Sequence, residues 1–156
     1  MIPAKLDAID RRILRLVQRD ASRPIHEIAA SVGLSQTPCW KRLQRLEAAG
    51  VITRRIALLD PVKLGLGVTV FVAVRLAEHS ARALAEFGDA LSNMEEVMEF
   101  HRMAGDVDYV LRVVAADAAG FDAFYKRLVA LAPLREVTSR FVLETIKSET
   151  ALPIAG

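Results

Sequence analysis

The stretch SQTPCWKRLQRLEAAGVI, residues 35–52, predicts an amphipathic helix that begins after a serine and ends before a glycine. Ser35 suits the N-cap position, and Gly50 suits the end of the helix. Pro38 falls in the first turn, where a backbone N–H has no helical partner. At about 100° per residue, one stripe of the helix is apolar and is predicted to be buried; it consists of Cys39, Leu43 and Leu46.

The opposite side of this helix carries Thr, Lys, Gln and Arg. Forked donors can form hydrogen bonds with base edges in a major groove, and point charges can pair with phosphates. The residues on this side therefore indicate a DNA-recognition helix. Trp40 borders the apolar stripe and is expected to pack against the first helix instead of stacking on bases. The predicted DNA contacts, of which Lys41 and Arg45 are the strongest, are Ser35, Gln36, Thr37, Lys41, Arg42, Gln44, Arg45 and Arg54.

The residues around this helix complete a DNA-binding domain over 1–60. Apolar residues at three- and four-residue spacing predict a first helix at 6–17 and a second at 24–32, with Gly33 ending the second in a left-handed conformation. Three helices with this turn predict a helix-turn-helix. The stretch VITRRIALLD, 51–60, predicts a strand that carries Arg54 and Arg55, so the domain would be winged.

Charge separates the chain into two parts near Asp60. Residues 1–60 hold eleven Lys and Arg against six Asp and Glu, and residues 61–156 hold ten against thirteen. The parts therefore have formal charges of +5 and −3, which indicates that only the first meets a polyanion.

Composition narrows the class of protein further. The chain has 156 residues, is 53% apolar and carries a single cysteine, Cys39. A packed core is expected, an internal disulfide framework is not, and no apolar run is long enough for a membrane span. We expect a cytoplasmic protein without a cofactor or resident metal.

After a linker with Asp60, Pro61, Gly65 and Gly67, the apolar pattern changes to period two. It predicts a strand at 68–76, a helix at 80–93, a hairpin of strands 97–103 and 107–115 turning at 104–106, a helix at 118–132 and a strand at 136–146. The order βαββαβ is ferredoxin-like, so the whole chain has an α+β fold, with the second domain at 61–156. The sheet face away from the helices is predicted to be apolar and to pair with a second copy in a homodimer; its residues are Phe71, Ala73, Val110, Val114 and Val142.

The chain resembles the Lrp/AsnC, or leucine-responsive and feast/famine, family of transcription regulators. The resemblance rests on five separated segments in the family's order: LDAIDRRILRLVQRDAS, IAASVGLSQTPCWKRLQRLEAAGVI, LDPVKLGLGVTVFVAV, EVMEFHRMAGDVDYVLRV and TSRFVLETIKSETALPI. It implies that the ferredoxin-like domain is a sensor that dimerises, commonly assembles to octamers and binds an amino acid between subunits.

The resemblance also implies an effector site. Asp108 or Asp106 would accept hydrogen bonds from the ammonium of an amino acid, and turn N–H groups would donate to its carboxylate. Without the resemblance, the same residues suggest only an exposed Gly-Asp turn. The implied effector residues are Gly105, Asp106, Val107, Asp108 and Tyr109 on the hairpin turn, with Thr138, Ser139 and Arg140 on the last strand of a neighbouring subunit.

The predicted function is a sequence-specific DNA-binding transcriptional regulator, not an enzyme, that responds to a small effector. One alternative is a siroheme-decarboxylase-like enzyme subunit, since that class resembles this family and His101 and Arg102 lie on a predicted strand. A stand-alone amino-acid sensor that binds partner proteins is a second. A metal site at His101, Asp106 and Asp108 is a weak third, because a hairpin turn explains the two carboxylates.

Overall fold

A computed structural model describes residues 5–155, so residues 1–4 and 156 of the predicted domains lie outside the described residues. The chain forms two compact units. The first contains residues 5–58 together with 146–155, and the second is Leu59–Thr145. The sequence placed residues 146–155 with the second domain, whereas in the structure they pack with the first unit. None of the described helices combines the length and the apolar character that crossing a membrane requires.

Three helices build the first unit: α1 at Ala8–Val17, α2 at Ile25–Val32 and α3 at Gln36–Ala48. Gly33 ends α2 with a φ of 75°, a left-handed conformation that glycine adopts at little cost. The predicted apolar stripe of α3 is buried, with Cys39 at 0% exposure, and burial raises the pKa of its thiol. The core of the unit contains Ile13, Leu14, Val17, Ile28, Ala29, Val32, Cys39, Leu43 and Leu46.

Two local predictions for this unit are wrong. Ser35 occupies the N-cap position of α3, but its hydroxyl makes no capping hydrogen bond. Residues 53–60 form neither helix nor strand, so the described residues of this unit contain no wing. A strand needs a hydrogen-bonded neighbour, and the one sheet described pairs only elements of the second unit.

The second unit has the predicted βαββαβ order. Its elements are a short 3₁₀ turn at Val62–Leu64, β1 at Val68–Leu76, α4 at Ala81–Ser92, β2 at Val97–Arg102, β3 at Tyr109–Ala115, α5 at Ala118–Ala130 and β4 at Leu134–Phe141. The sheet order is β2-β3-β1-β4, with every neighbouring pair antiparallel. This is the ferredoxin-like arrangement, in which β1 and β3 are the central strands.

One face of the sheet packs against both helices. Val70, Val72 and Val74 alternate along β1 and are each 0% exposed. They share a core with Phe87 of α4 and Phe124 of α5. Alternation along the central strand thus decides which face of the sheet is buried.

The other face is less apolar than predicted. Phe71 lies near its middle and is 41% exposed, but its strand neighbours across the sheet are Arg112 and Arg140. Arg112 donates to Glu99 at 2.7 Å on the adjoining strand, and this hydrogen bond holds the pKa of Glu99 below its usual value. The prediction counted the apolar residues of this face and left out the arginines that the strand register places beside them.

Candidate DNA interface and ligand site

The exposed side of α3 is the candidate DNA interface. Seven of the eight predicted contact residues are exposed, and Arg42 is partly buried. Thr37, Lys41 and Gln44 lie on the side of α3 opposite its buried stripe, as the helical spacing predicts. Arg54 is exposed in the segment that follows the unit's third helix. This surface offers hydroxyl, ammonium and amide groups to a groove and to phosphates.

Two of the predicted DNA contacts are engaged inside the protein. Arg42 Nη1 donates to Asp10 Oδ1 at 2.8 Å, and Arg45 Nη2 donates to Asp10 Oδ2 at 2.5 Å. Asp10 lies on α1 and is 0% exposed. These bonds give Arg42 and Arg45 a structural role, since they join the recognition helix to the first helix. Because 56% of the Arg45 side chain is exposed, its remaining donors can also reach a phosphate.

Asp7 completes this acidic cluster at the start of α1. Its Oδ1 accepts from the Asp10 backbone N–H at 2.8 Å, and Asp10 Oδ2 accepts from the Asp7 N–H at 3.2 Å, which forms a capping box. Arg42 also donates to Asp7 at 2.6 Å. The Asp10 N–H, followed by Arg42, lowers the pKa of Asp7. The spacing Asp-x-x-Asp before an apolar run was the sequence signal for this cluster, and the sequence analysis missed it.

Trp40 lies beside the second helix. It is 50% exposed and lines a cavity of about 200 Å³ together with Arg23, Ile25 and Ile28, among others. Its predicted packing against the first helix stays a prediction.

The hairpin turn between β2 and β3 carries the first part of the predicted effector site. Gly105 has a φ of 138°, which favours glycine. Asp106 is exposed, whereas Val107 and Asp108 are partly buried. Tyr109 is 5% exposed and packs in the core against an aromatic ring 5.0 Å away, that of Phe100. Asp106 therefore offers the more open carboxylate, and Tyr109 belongs to the core of this unit.

Asp108 connects the hairpin to the end of β1. Its Oδ2 accepts from the Leu76 N–H at 2.8 Å, and its Oδ1 lies 2.9 Å from His79 Nε2. Its own N–H donates to the Val74 carbonyl at 2.9 Å. The Leu76 N–H, followed by His79, lowers the pKa of Asp108. Both carboxylate oxygens thus have partners within the fold, which leaves Asp106 as the better acceptor for a ligand ammonium.

The three predicted residues of β4 lie on two faces of the sheet. Thr138 pairs with Ala73 and Arg140 with Phe71, so both point to the face away from the helices. Ser139 pairs with Val72 on the helix-covered face, where its buried hydroxyl has no hydrogen-bond partner among the described residues. Strand alternation prevents all three side chains from lining one pocket.

The two parts of the predicted site are separated within one chain. Tyr109, where β3 begins, pairs with Val74 of β1, and Val74 pairs with Val137 of β4. The hairpin and β4 are therefore two strands apart, or about 10 Å. The hairpin turn and β4 therefore do not adjoin within one chain.

The residues of the metal alternative do not come together in the described part of the chain. His101 lies 3.5 Å from Glu99 with its side chain 62% exposed, and Asp108 bonds Leu76 and His79. Among residues 5–155, no group of three His, Cys, Asp or Glu side chains could hold a metal ion.

A three-helix unit with an exposed polar recognition helix, followed by a ferredoxin-like unit, defines a class of two-unit DNA-binding regulators. Family models match the chain in the same order. Residues 6–47 match the AsnC-type helix-turn-helix domain, and residues 69–152 match the Lrp/AsnC ligand binding domain. The chain belongs to the Lrp/AsnC family and is a DNA-binding transcriptional regulator.

Relatives and solved structures match this chain over nearly its whole length. The chain is 48% identical to the DNA-binding transcriptional activator DecR of Escherichia coli K12 over 96% of its length and 99% of that protein. It is 53% identical to an AsnC family transcriptional regulator from Agrobacterium tumefaciens of known structure. The match has a TM-score of 0.92 and covers 95% of this chain and 97% of that one. A transcriptional regulator from Neisseria meningitidis, solved in complex with L-Met, is 31% identical. That match has a TM-score of 0.92 and covers 96% of this chain and 97% of that one. The comparisons give no support for a siroheme decarboxylase.

Proposed function

We propose that the second unit binds a small effector, an amino acid, between subunits and that this binding changes which DNA the first unit occupies. The observation that carries the proposal is the match of residues 69–152 to the Lrp/AsnC ligand binding domain, because that range contains both the hairpin turn and β4. The regulator from Neisseria meningitidis with L-Met bound supports an amino acid as the class of ligand. A regulator of this kind acts without an enzymatic step, and we place it in the cytoplasm with the chromosome.

The chemistry of the site supports a zwitterionic ligand. Asp106 is exposed on the turn and can accept from an ammonium, while Arg140 and the turn N–H groups can donate to a carboxylate. Thr138 shares the outer face with Arg140 and adds a hydroxyl. Since these groups lie on opposite sides of β1, the proposed site takes Asp106 from one subunit and β4 from another.

An assembly of subunits is part of the proposal. Exposed apolar side chains are concentrated in the segment between the units, where Leu58, Leu59 and Val62 are 69%, 71% and 72% exposed. A stretch of this kind marks a surface that another chain covers. We propose a homodimer that assembles further to an octamer, which would present paired recognition helices to a pseudo-palindromic operator.

Mechanism follows from linkage. An effector changes DNA binding only if it has different affinities for two states of the assembly. A ligand held by two subunits meets this condition, because its contacts depend on how the subunits are arranged.

Selection of genomic fragments tests the DNA-binding part. Purified protein is mixed with fragments of the source genome at physiological salt, and the bound fragments are sequenced. Salt matters because the phosphate contribution alone retains DNA non-specifically at low ionic strength. Enrichment of a few fragments that share a pseudo-palindrome is expected, and retention of bulk DNA alone would contradict sequence-specific regulation.

Calorimetric titration with each L-amino acid tests the effector part. We expect at least one to bind, and we expect its N-acetyl and amide derivatives, each lacking one charge, to bind at least tenfold more weakly. Asp106→Asn should weaken binding by about tenfold, while Asp89→Asn, at an exposed aspartate of α4, serves as the matched control. No heat with any amino acid, or equal binding of the N-acetyl derivative, would contradict the proposed ligand class.

A further inference from the structure

The C-terminal residues form part of the DNA-binding unit. The last strand of the sheet ends at Phe141, yet residues 146–155 belong to the first unit and not to the unit that contains the sheet. We name residues 151–154 the strap. The sequence placed this segment at the end of the second domain, as part of the stretch TSRFVLETIKSETALPI, without predicting a contact for it.

Gln18, directly after α1, binds the backbone of the strap at two points. Its Nε2 donates to the Leu152 carbonyl at 3.0 Å, and its Oε1 accepts from the Leu152 N–H at 2.9 Å. Both polar groups of the Leu152 backbone are therefore paired by one side-chain amide, much as a neighbouring strand would pair them. Such a two-point contact specifies the position of the segment as well as attracting it.

Two further contacts extend the attachment toward the end of the chain. Arg15 Nε donates to the Ile154 carbonyl at 3.3 Å. The Ile154 side chain is partly buried and packs against the core of the DNA-binding unit. By contrast, the Leu152 side chain is 73% exposed, so at that position only the backbone makes the attachment.

The helix that the strap holds also holds the recognition helix. α1 carries Arg15 and ends at Val17, just before Gln18, and it also carries Asp10, which accepts from Arg42 and Arg45 of α3. The position of α3 relative to α1 therefore depends on a buried carboxylate, and the position of α1 depends in part on the strap. Base readout requires the recognition helix to be held in one orientation, whereas phosphate attraction does not.

We infer that the strap is a positioning element for sequence-specific DNA binding. It contacts α1 through Gln18, Arg15 and Ile154, and through α1 it restricts the orientation of α3. Losing the strap is expected to reduce the preference for a specific sequence while leaving general DNA affinity in place. This inference concerns the DNA-binding unit and does not depend on the proposed amino-acid effector.

The test compares Ile154→Asn with Leu152→Asn in the full-length protein. Both substitutions introduce the same neutral side chain two residues apart, so they alter neither net charge nor attraction to phosphate. Only the first removes an apolar side chain packed on the core. Hydrogen exchange of the α1 amides and affinity for two DNA probes are measured for each variant; the probes are the most enriched genomic fragment and sheared bulk DNA at the same salt concentration.

We expect Ile154→Asn to lose hydrogen-exchange protection in α1 and to lower the ratio of specific to bulk affinity by at least tenfold. Bulk affinity should stay within about twofold of wild type, and Leu152→Asn should match wild type throughout. Lost protection with an unchanged ratio would overturn the positioning role, because the strap would then only stabilise the helix. Unchanged protection in α1 would overturn the attachment itself.

Gln18→Ala provides a second variant that leaves the apolar packing in place. It removes both hydrogen bonds to Leu152 and is made at a partly buried polar side chain, so the unit should stay folded even if Ile154→Asn does not. The same loss of preference is expected, and a wild-type ratio would overturn the inference. If wild-type protein itself shows no preference, the regulator function fails, and the exchange of the α1 amides still decides whether the strap holds the helix.

Discussion

Asp10 in the first unit and Asp108 in the second each join two elements of secondary structure, but their surroundings differ. Asp10 is fully buried and bonds two arginines, whereas the Asp108 side chain is 27% exposed and bonds a backbone N–H and His79. Asp10 has no access to water, so its charge is stabilised only by its hydrogen bonds, while water can replace a partner of the partly exposed Asp108. The two units therefore use similar residues with different consequences for stability and for ligand contact.

Removing the charge of Asp10 is expected to have the largest effect. Asp10→Asn keeps the volume of the side chain but leaves Arg42 and Arg45 without their shared carboxylate. We expect the free energy of unfolding of the first unit to fall by about 3 kcal/mol, because two hydrogen bonds between charged groups are lost and each contributes about 1.5 kcal/mol. Trp40 is the only tryptophan and lies in this unit, so its fluorescence during urea unfolding at fixed protein concentration is the measurement. Asp20→Asn, at an aspartate 48% exposed, is the control and should leave stability nearly unchanged.

A second comparison distinguishes a residue of the recognition helix that stabilises the fold from one that is expected to contact DNA. Arg42 bonds two aspartates and is 27% exposed, so Arg42→Ala should lower stability by about 1.5 kcal/mol. Lys41 is exposed, so Lys41→Ala should leave stability unchanged and reduce the slope of log affinity against log salt by about one. Unfolding by Trp40 fluorescence and binding at several salt concentrations measure both quantities. Equal losses of stability in the two variants would contradict this distinction.

The sequence predicted the architecture because local periodicity determines it. The change from helical spacing to alternation after residue 67 separates the two units, and the bounds predicted for β1 agree with Val68–Leu76. The buried stripe of α3 follows from 100° spacing alone. These features need only the identities of residues a few positions apart.

Features that depend on distant partners were not predictable in this way. The fourth strand was predicted at 136–146 but ends at Phe141, where its pairing with β1 ends. Residues 53–60 have a strand-like composition without a pairing strand. The Asp10–Arg45 bond joins residues 35 positions apart, so helical spacing could identify Arg45 as outward-facing without showing that it is already paired. The opposite orientation of Ser139 was predictable, since alternation along a strand is local.

Removing the charge of Asp108, the partly exposed aspartate, is expected to have a smaller effect on stability, and this effect depends on pH. Asp108→Asn retains an acceptor for the Leu76 N–H but loses the charge beside His79, and it should lower the stability of the second unit by about 1 kcal/mol at pH 7. Because the folded-state pKa of Asp108 lies below its ordinary 3.8, its contribution is fully present above that value. The contribution disappears as pH falls through the folded-state pKa.

The difference in stability between wild type and Asp108→Asn should therefore shrink as pH falls below about 4. Both tyrosines lie in the second unit, so their near-ultraviolet circular dichroism follows its unfolding. Asp106→Asn, two residues away on the same turn, is the control and should leave stability unchanged. A difference that stayed constant down to pH 3 would show that the charge of Asp108 is not what stabilises the hairpin.

The smallest effect is expected for the N-cap serines, of which one from each unit is compared. Ser80 accepts from the Ala83 N–H at 3.2 Å at the start of α4, whereas Ser35 at the start of α3 makes no such bond. Ser80→Ala should therefore cost about 0.5 kcal/mol, at the low end for a cap on an exposed helix, and Ser35→Ala should cost almost nothing. Unfolding followed by tyrosine dichroism for the first variant and by Trp40 fluorescence for the second measures each. Ser35 is exposed and is a predicted DNA contact, so a loss of DNA affinity in Ser35→Ala without loss of stability would identify its hydroxyl as a phosphate contact.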